Sequence, residues 1–334
     1  MLLIWSIVFL AGLYVLVKAA DYFTDYAEKL GKILHLPNFI VGVLIVAIGT
    51  SLPELATSLL GVHAGEIEFL SGNVIGTVIV NILLGLGVAV ILTKKKVIFT
   101  WDIVSNDLPF FGAAIFLLAI ALSDGVFTFV EALVFLGGYL IYIFYAYFLQ
   151  KEEKAADKEK FEKEIKEEIK KGTEAKDPVG KKKDVKSTVR VLLWLLGSLV
   201  VIGFSSHFIV ESVINIADIL GLGATVIAAT AVALGTSLPE IVVAISAARR
   251  GNFDMVIGDI LGSNIFDIFV IYGVAGLFTT LTISMEMFMI LIPFLIGSFF
   301  LMWLTLIDKR ITKTEGMMYI LIYVMFIGKL LDLF

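Results

Sequence analysis

Six residues, GTSLPE, occur twice in this chain: as Gly49–Glu54 and again as Gly235–Glu240, 186 positions later. The same offset, without a gap, pairs Gly65 with Gly251, Gly72 with Gly258, Gly76 with Gly262, Thr77 with Ser263 and Asn81 with Asp267. Chance does not hold register over the 33 positions from Gly49 to Asn81. The chain is an internal duplication, and whatever fold one half adopts the other must adopt too.

Each copy sits in an apolar stretch of spanning length, which takes about 20 mostly apolar residues. Ten such stretches are predicted, at 2–20, 38–60, 69–92, 104–123, 127–149, 190–212, 222–247, 255–278, 285–307 and 312–333. The first is expected to run on as an amphipathic helix through Asp21, Asp25, Glu28 and Lys32, and the sixth through Glu211 and Asp218. Hydrophobic residues make up 59% of the chain and charged ones 17%, against about 25% charged in a soluble domain. There is no cysteine, so disulfides and thiolate sites are excluded. The first stretch has no basic start and no small-residue cleavage site, and reads as a retained helix. The two motifs lie five stretches apart; five is odd, so the second copy enters the bilayer from the opposite side. The expected fold is an all-α membrane protein of ten transmembrane helices in two inverted five-helix repeats. Residues 1–150 form the first repeat, 151–189 a linker and 190–334 the second. Such repeats place a binding site near the midplane between them.

Basic residues orient the chain. Of the 26 Lys and Arg, all but Lys18 and Lys329 fall in alternate loops: after stretch 1, at Lys94–Lys96, in the 151–190 segment, at Arg249 and Arg250, and at Lys309, Arg310 and Lys313. The opposite loops, around Glu66, Asp124, Gly221 and Thr280, hold none. The cell membrane is therefore the expected location, with both termini outside and the 151–189 loop, a solvated linker of mixed charge, in the cytoplasm.

Pro53 and Pro239 each remove a backbone donor inside an apolar helix and leave the carbonyl four residues back, Gly49 or Gly235, without its partner. In lipid, such carbonyls survive only beside protein or a polar cavity, so a helix break lining a site is expected at both motifs. Glu54, Glu240 and Asp267 lie well inside their stretches with no basic residue at similar depth. A charge at the bilayer centre costs about 2.5–3.5 kcal/mol, so these acids need protons or a cation. Asn73, Thr77 and Asn81 recur every four residues, as do their mates Asp259, Ser263 and Asp267, and both stripes can face the motifs. The set is all oxygen, with no sulfur or imidazole. It suits calcium, sodium or magnesium rather than zinc or copper, and calcium's irregular six-to-eight coordination best.

The paired GTSLPE with the downstream GNVIGTVIVN and GDILGSNIFD resembles the two repeats of the sodium/calcium exchanger family, prokaryotic type, in the calcium:cation antiporter superfamily. The resemblance implies that Glu54 and Glu240 are central calcium-binding carboxylates, flanked by Thr50 and Thr236 as carbonyl donors. It implies sodium-coordinating hydroxyls at Ser51, Ser237 and Ser263, carbonyls at Ala47 and Ala233, and a polar pair, Asn81 and Asp267, closing the pocket. Thr77 stands where the family has serine, and Asp259 where it has asparagine, a possible extra acid.

The expected activity is antiport of Ca²⁺ for Na⁺ by alternating access. Proton/calcium exchange, potassium-dependent exchange and, in another class, a cation channel are the alternatives. No nucleotide loop, nucleophile triad or zinc motif occurs, so no enzyme, cofactor or nucleic-acid partner is expected. The expected partners are the two ions and the bilayer, with no obligate protein partner. Because the chain lacks cysteine, single substitutions test the topology. In intact cells Glu66→Cys is expected to react with an impermeant thiol reagent and Arg249→Cys to be protected; the opposite pattern would invert the assignment.

Overall fold

The computed structural model describes residues 1–65, 67–94, 97–99, 103–146, 148, 185–219 and 224–330; within these, the side chains of Phe69, Val104–Asn106, Val185–Ser187, Ala217, Asp218 and residues 224–236 lie outside the description. Glu66, Lys95, Lys96, Gly221 and most of the 151–189 linker also lie outside it.

The described residues are almost wholly helical. Helix α1 is Leu2–Leu34, α2 is Asn38–His63, and α3 runs through Ile67–Val80, Asn81–Leu86 and Gly87–Leu92. Helix α4 is Ile103–Ala121 and α5 is Phe129–Ala146. The second half repeats the series: α6 is Val185–Ile219, α7 is Ala224–Arg250, α8 is Phe253–Gly276, α9 is Met285–Leu306 and α10 is Lys313–Leu330. Among the described residues, seven helices are long and apolar enough to cross a membrane. α4 contributes a shorter apolar helix, Asp107–Ala121. α10 carries Lys313, Glu315 and Lys329 near its ends. The amphipathic continuations of α1 and α6 form as expected.

The linking turns show why these helices stop where they do. His35 ends α1 in the left-handed conformation, φ 56°, with its N–H turned back to the last carbonyls, and Pro37 follows. Gly65 and Gly251, mates in the repeat, take φ 87° and 82° at the turns before α3 and α8, a backbone shape that disfavours any Cβ. α5 and α10 each begin with a capping box, Thr128 with Glu131 and Thr312 with Glu315.

Beyond α3 the halves correspond at an offset of 184 rather than 186. Strand β1 (Val97–Ile98) corresponds to β3 (Leu281–Thr282), and β2 (Val126–Phe127) to β4 (Arg310–Ile311). The strands do not pair within a half. β1 pairs with β4, Val97 opposite Ile311, and β2 pairs with β3, Phe127 opposite Leu281. Moving either pair by the offset generates the other. The flanking bonds obey the same rule: Phe99 N–H to Lys309 O at 2.9 Å, and Ile283 N–H to Gly125 O at 3.1 Å. One pair joins the loop after Lys94 to the loop at Arg310, so two basic loops share one end of the bundle. The other joins the Asp124 loop to the Thr280 loop, which carry no basic residue.

Helices α3 and α8 form the centre. Burial reaches 94% of the α8 spanning window and 83% of the α3 window, against 11% for α1. α1 lies along α6 at the periphery. The close approach of α8 to α2 depends on glycine. A Cβ at Gly258 would sit 2.2 Å from Phe39 O, and one at Gly262 would sit 2.8 Å from Val43 Cα and from Ala47 Cβ. Backbone cannot retreat as a side chain can, and overpacking costs about 1–3 kcal/mol even where it can. Gly258→Val is therefore expected to lose folded protein or lower the thermal midpoint in detergent, whereas Gly297→Val, where a Cβ meets nothing within 4 Å, leaves it near that of the parent.

Candidate functional site

The two motifs lie in α2 and α7, which cross beside the centres of α3 and α8. The expected breaks at Pro53 and Pro239 do not form: both prolines lie inside continuous helices. The irregular backbone in α2 comes earlier, as a π-helical turn at Gly42–Val46. One proline removes a single backbone donor, and a helix packed among its neighbours runs on through that loss. Thr50 Oγ1 donates to Val46 O at 3.2 Å and to Ala47 O at 3.3 Å, tying the turn before Pro53 together. A second irregularity was not anticipated. π-helical turns begin at Asn81 in α3 and at Asp267 in α8, mates in the repeat. A π turn widens the helix and re-aims its side chains, and it recurs at functional sites.

Thr50, Ser51 and Glu54 of α2, Thr77 and Asn81 of α3, Ser237 and Glu240 of α7, and Asp259, Ser263 and Asp267 of α8 are all buried, none more than 3% exposed. Ala47 is fully buried. Thr236 and Ala233 lie on α7, but their side chains are outside the described residues. Glu54, Glu240 and Asp267 interact electrostatically with one another, and Asp259 interacts with Glu240 and Asp267. The hydroxyl of Thr77 approaches Glu54, that of Thr50 approaches Glu240, and that of Ser51 approaches Asp267. The four acids and the hydroxyls of Thr50, Ser51 and Thr77 thus come together in one buried cluster, and Ser237, Ser263 and Asn81 are buried on the same helices. Among the described residues no three His, Cys, Asp or Glu sit close enough to cage a metal by themselves. The oxygens of this cluster are mixed: carboxylates interleaved with hydroxyls and amides.

The halves differ in how they treat their glutamates. Glu54 Oε1 accepts from Asn73 Nδ2 at 3.4 Å, and Asn73 also reaches Ser58 Oγ at 3.5 Å. At the corresponding places around Glu240 stand Asp259, an acid that can donate only when protonated, and Ala244, a methyl group that cannot donate. Among the described residues, both carboxylate oxygens of Glu240, Asp259 and Asp267 have no hydrogen-bond donor, and neither does Glu54 Oε2. No Lys or Arg among them forms an ion pair with these acids. Four buried carboxylates with so few donors would repel one another if all were ionised, and cations entering the cluster, or protons, would relieve that.

Two side chains escaped the sequence reading. Ser58 lies one turn beyond Glu54 on its face. Asn264 is fully buried and accepts from Asn81 Nδ2 at 3.2 Å. It sits one position off the Asp259–Ser263–Asp267 stripe, and its mate is the apolar Val78, so comparing the repeats hides it. A further buried acid, Asp107 of α4, interacts with Tyr142 and Tyr145 rather than with this cluster. Asp259→Asn removes one repelling charge at constant shape. It is expected to hold or raise the thermal midpoint in detergent at neutral pH, and a fall would mean that its carboxylate has a stabilising partner.

The sequence profile of the sodium/calcium exchanger protein family matches residues 4–148 and 190–330. The chain is 32% identical to the sodium/calcium exchanger MaX1 of Methanosarcina acetivorans, over 96% of this chain and 97% of that one. It is 31% identical to the uncharacterized membrane protein MJ0091 of Methanocaldococcus jannaschii, over 96% of each. The fold matches a solved structure of the sodium-calcium exchanger NCX_Mj soaked with sodium. The TM-score is 0.77 at 27% identity, covering 98% of this chain and 99% of that one.

Proposed function

The chain belongs to the sodium/calcium exchanger family, and on that premise we propose that it is a secondary active antiporter that moves Ca²⁺ against Na⁺ by alternating access. The observation that carries this reading is the cluster itself. Glu54 and Glu240, one from each copy of the motif, are buried within electrostatic reach of each other and of Asp267 without a basic partner. A divalent cation entering there meets two carboxylates related by the repeat, with hydroxyls close by. Removal of the divalent ion restores the repulsion unless other cations replace it, and that mutual exclusion is what couples one flux to the other.

In this reading Glu54 and Glu240 are the central calcium ligands, with Thr50 and Thr236 beside them. Ser51, Ser237, Ser263 and Thr77 are neutral hydroxyl ligands suited to sodium, Ala47 and Ala233 give carbonyls, and Asn81 and Asp267 close the pocket. The two halves are inverted five-helix repeats of ten spans, residues 1–150 and 190–334 around the linker. The exchanged β1–β4 and β2–β3 pairs support a two-fold axis between them. The basic end of the bundle faces the cytoplasm and both termini lie outside, as the Lys and Arg pattern requires. α1 and α6, the peripheral pair, move against the other helices.

Reconstitution into proteoliposomes tests the function. Loaded sodium is expected to drive calcium uptake uphill, which a channel cannot do. Potassium-loaded or acid-loaded vesicles distinguish the other coupling ions. Glu54→Gln and Glu240→Gln are each expected to abolish uptake while folding normally, because the neutral side chain is easier to bury. Asp259→Asn, which restores the residue type seen at Asn73, is expected to retain it. Near-normal calcium flux in either glutamine variant would place the site elsewhere.

A further inference from the structure

α1 is 33 residues long, so at 1.5 Å per residue it is about 50 Å, well beyond a hydrocarbon core of about 30 Å. Its last turns carry an acidic strip, Asp21, Asp25 and Glu28, on successive turns of one face. All three reach the junction between α7 and α8. Ser246 Oγ donates to Asp21 Oδ1 at 2.7 Å, and Arg250 Nη2 donates to the backbone carbonyl of Asp21 at 2.6 Å. Arg250 Nη1 meets Asp25 Oδ1 at 3.4 Å, and Lys29 pairs with the other oxygen of Asp25. Asn252 Nδ2 donates to Glu28 Oε1 at 2.9 Å, while its own Oδ1 caps the first turn of α8.

Between these contacts α1 presents Phe23, 1% exposed. Its ring would stand 3.2 Å from a Cβ at Gly49, the first residue of the α2 motif and the neighbour of Thr50. The polar strip therefore flanks and pins an aromatic ring that packs on the first residue of the α2 motif. It grips α7 two turns beyond Glu240 and the cap of α8 two turns before Asp259.

The repeat mates of these residues do not reproduce the strip. The mates of Asp21 and Asp25 are His207 and Glu211, but those of Ser246 and Arg250 are Leu60 and Ala64, which offer no side-chain donor. The mate of Phe23 is Ile209, which packs on α1 at Gly12. Two halves built alike would open equally at either end; a tie at one end alone removes that equivalence.

We propose that the acidic strip of α1 and its α7–α8 partners form a one-sided latch that holds the protein closed at the basic end of the bundle. Its release is the step that opens the cluster to that side. This rests on the alternating-access reading above and adds its regulation. Breaking the latch shifts the population toward the state open at the basic end without touching a cation ligand.

Thiol accessibility in the purified full-length protein in detergent tests this. Ala27→Cys, fully buried on α1 at the level of the latch, reports the basic end, and Ile209→Cys reports the other. Arg250→Gln and, separately, Ser246→Ala are expected to speed labelling at Ala27→Cys by about fivefold, the weight of one partly exposed polar contact. Labelling at Ile209→Cys should not rise. Arg250→Lys, which keeps the charge opposite Asp25, should stay close to the parent. Unchanged labelling at Ala27→Cys in both variants, or an equal rise at both reporters, overturns the latch. Labelling needs no ion flux: vesicles that fail to exchange calcium for sodium would remove the transport reading alone, and normal exchange with unchanged labelling would remove the latch alone.

Discussion

Burying carboxylate in a bilayer without a counter-charge is the constraint from which the rest of this structure follows. Glu54, Glu240, Asp259 and Asp267 are shut away from water, with few donors among the described residues. Each costs about 2.5–3.5 kcal/mol to place at the bilayer centre. The surrounding packing must supply that energy, and α8, which bears two of the acids, is the most buried of the spanning helices whose burial is described. α8 presses backbone to backbone against α2 at Gly258 and Gly262. That tight seam leaves the cluster's electrostatic need to be met by something small enough to enter, and protons or metal ions meet that description.

Much of this was legible from the residues. The duplicated GTSLPE and its ungapped register located the site-bearing helices, and lengths of apolar sequence located helix ends to within a few residues at most boundaries. The prolines misled, because the lost donor at Pro53 is visible in the sequence and the packing that carries the helix on through it is not. The π turns at Asn81 and Asp267 have no local signature, since they answer to packing. Two-residue strands are too short to read at all. Asp25 falls on the predicted amphipathic end of α1, but its partner, Arg250, lies 225 positions away in sequence, and nothing local announces that pairing. Asn264 was hidden by the comparison that revealed the rest, since its mate is a valine.

Symmetry and its violations divide the molecule by purpose. Where the halves agree, at the motifs, the turn glycines, the capping boxes and the strand pairs, the shared feature builds the scaffold and places the matched acids Glu54 and Glu240. Where they differ, around Glu240 against Glu54 and around Arg250 against Ala64, the two ends of the bundle cease to be equivalent. A transporter of two identical halves would have no preferred resting side, and under the latch proposed above these few substitutions supply one.

β1 finds its partner only in the second half, and β2 likewise, so neither half closes its own loops. The two short ladders act as clasps between the halves: one half cannot be drawn away from the other without breaking backbone hydrogen bonds at both ends of the bundle.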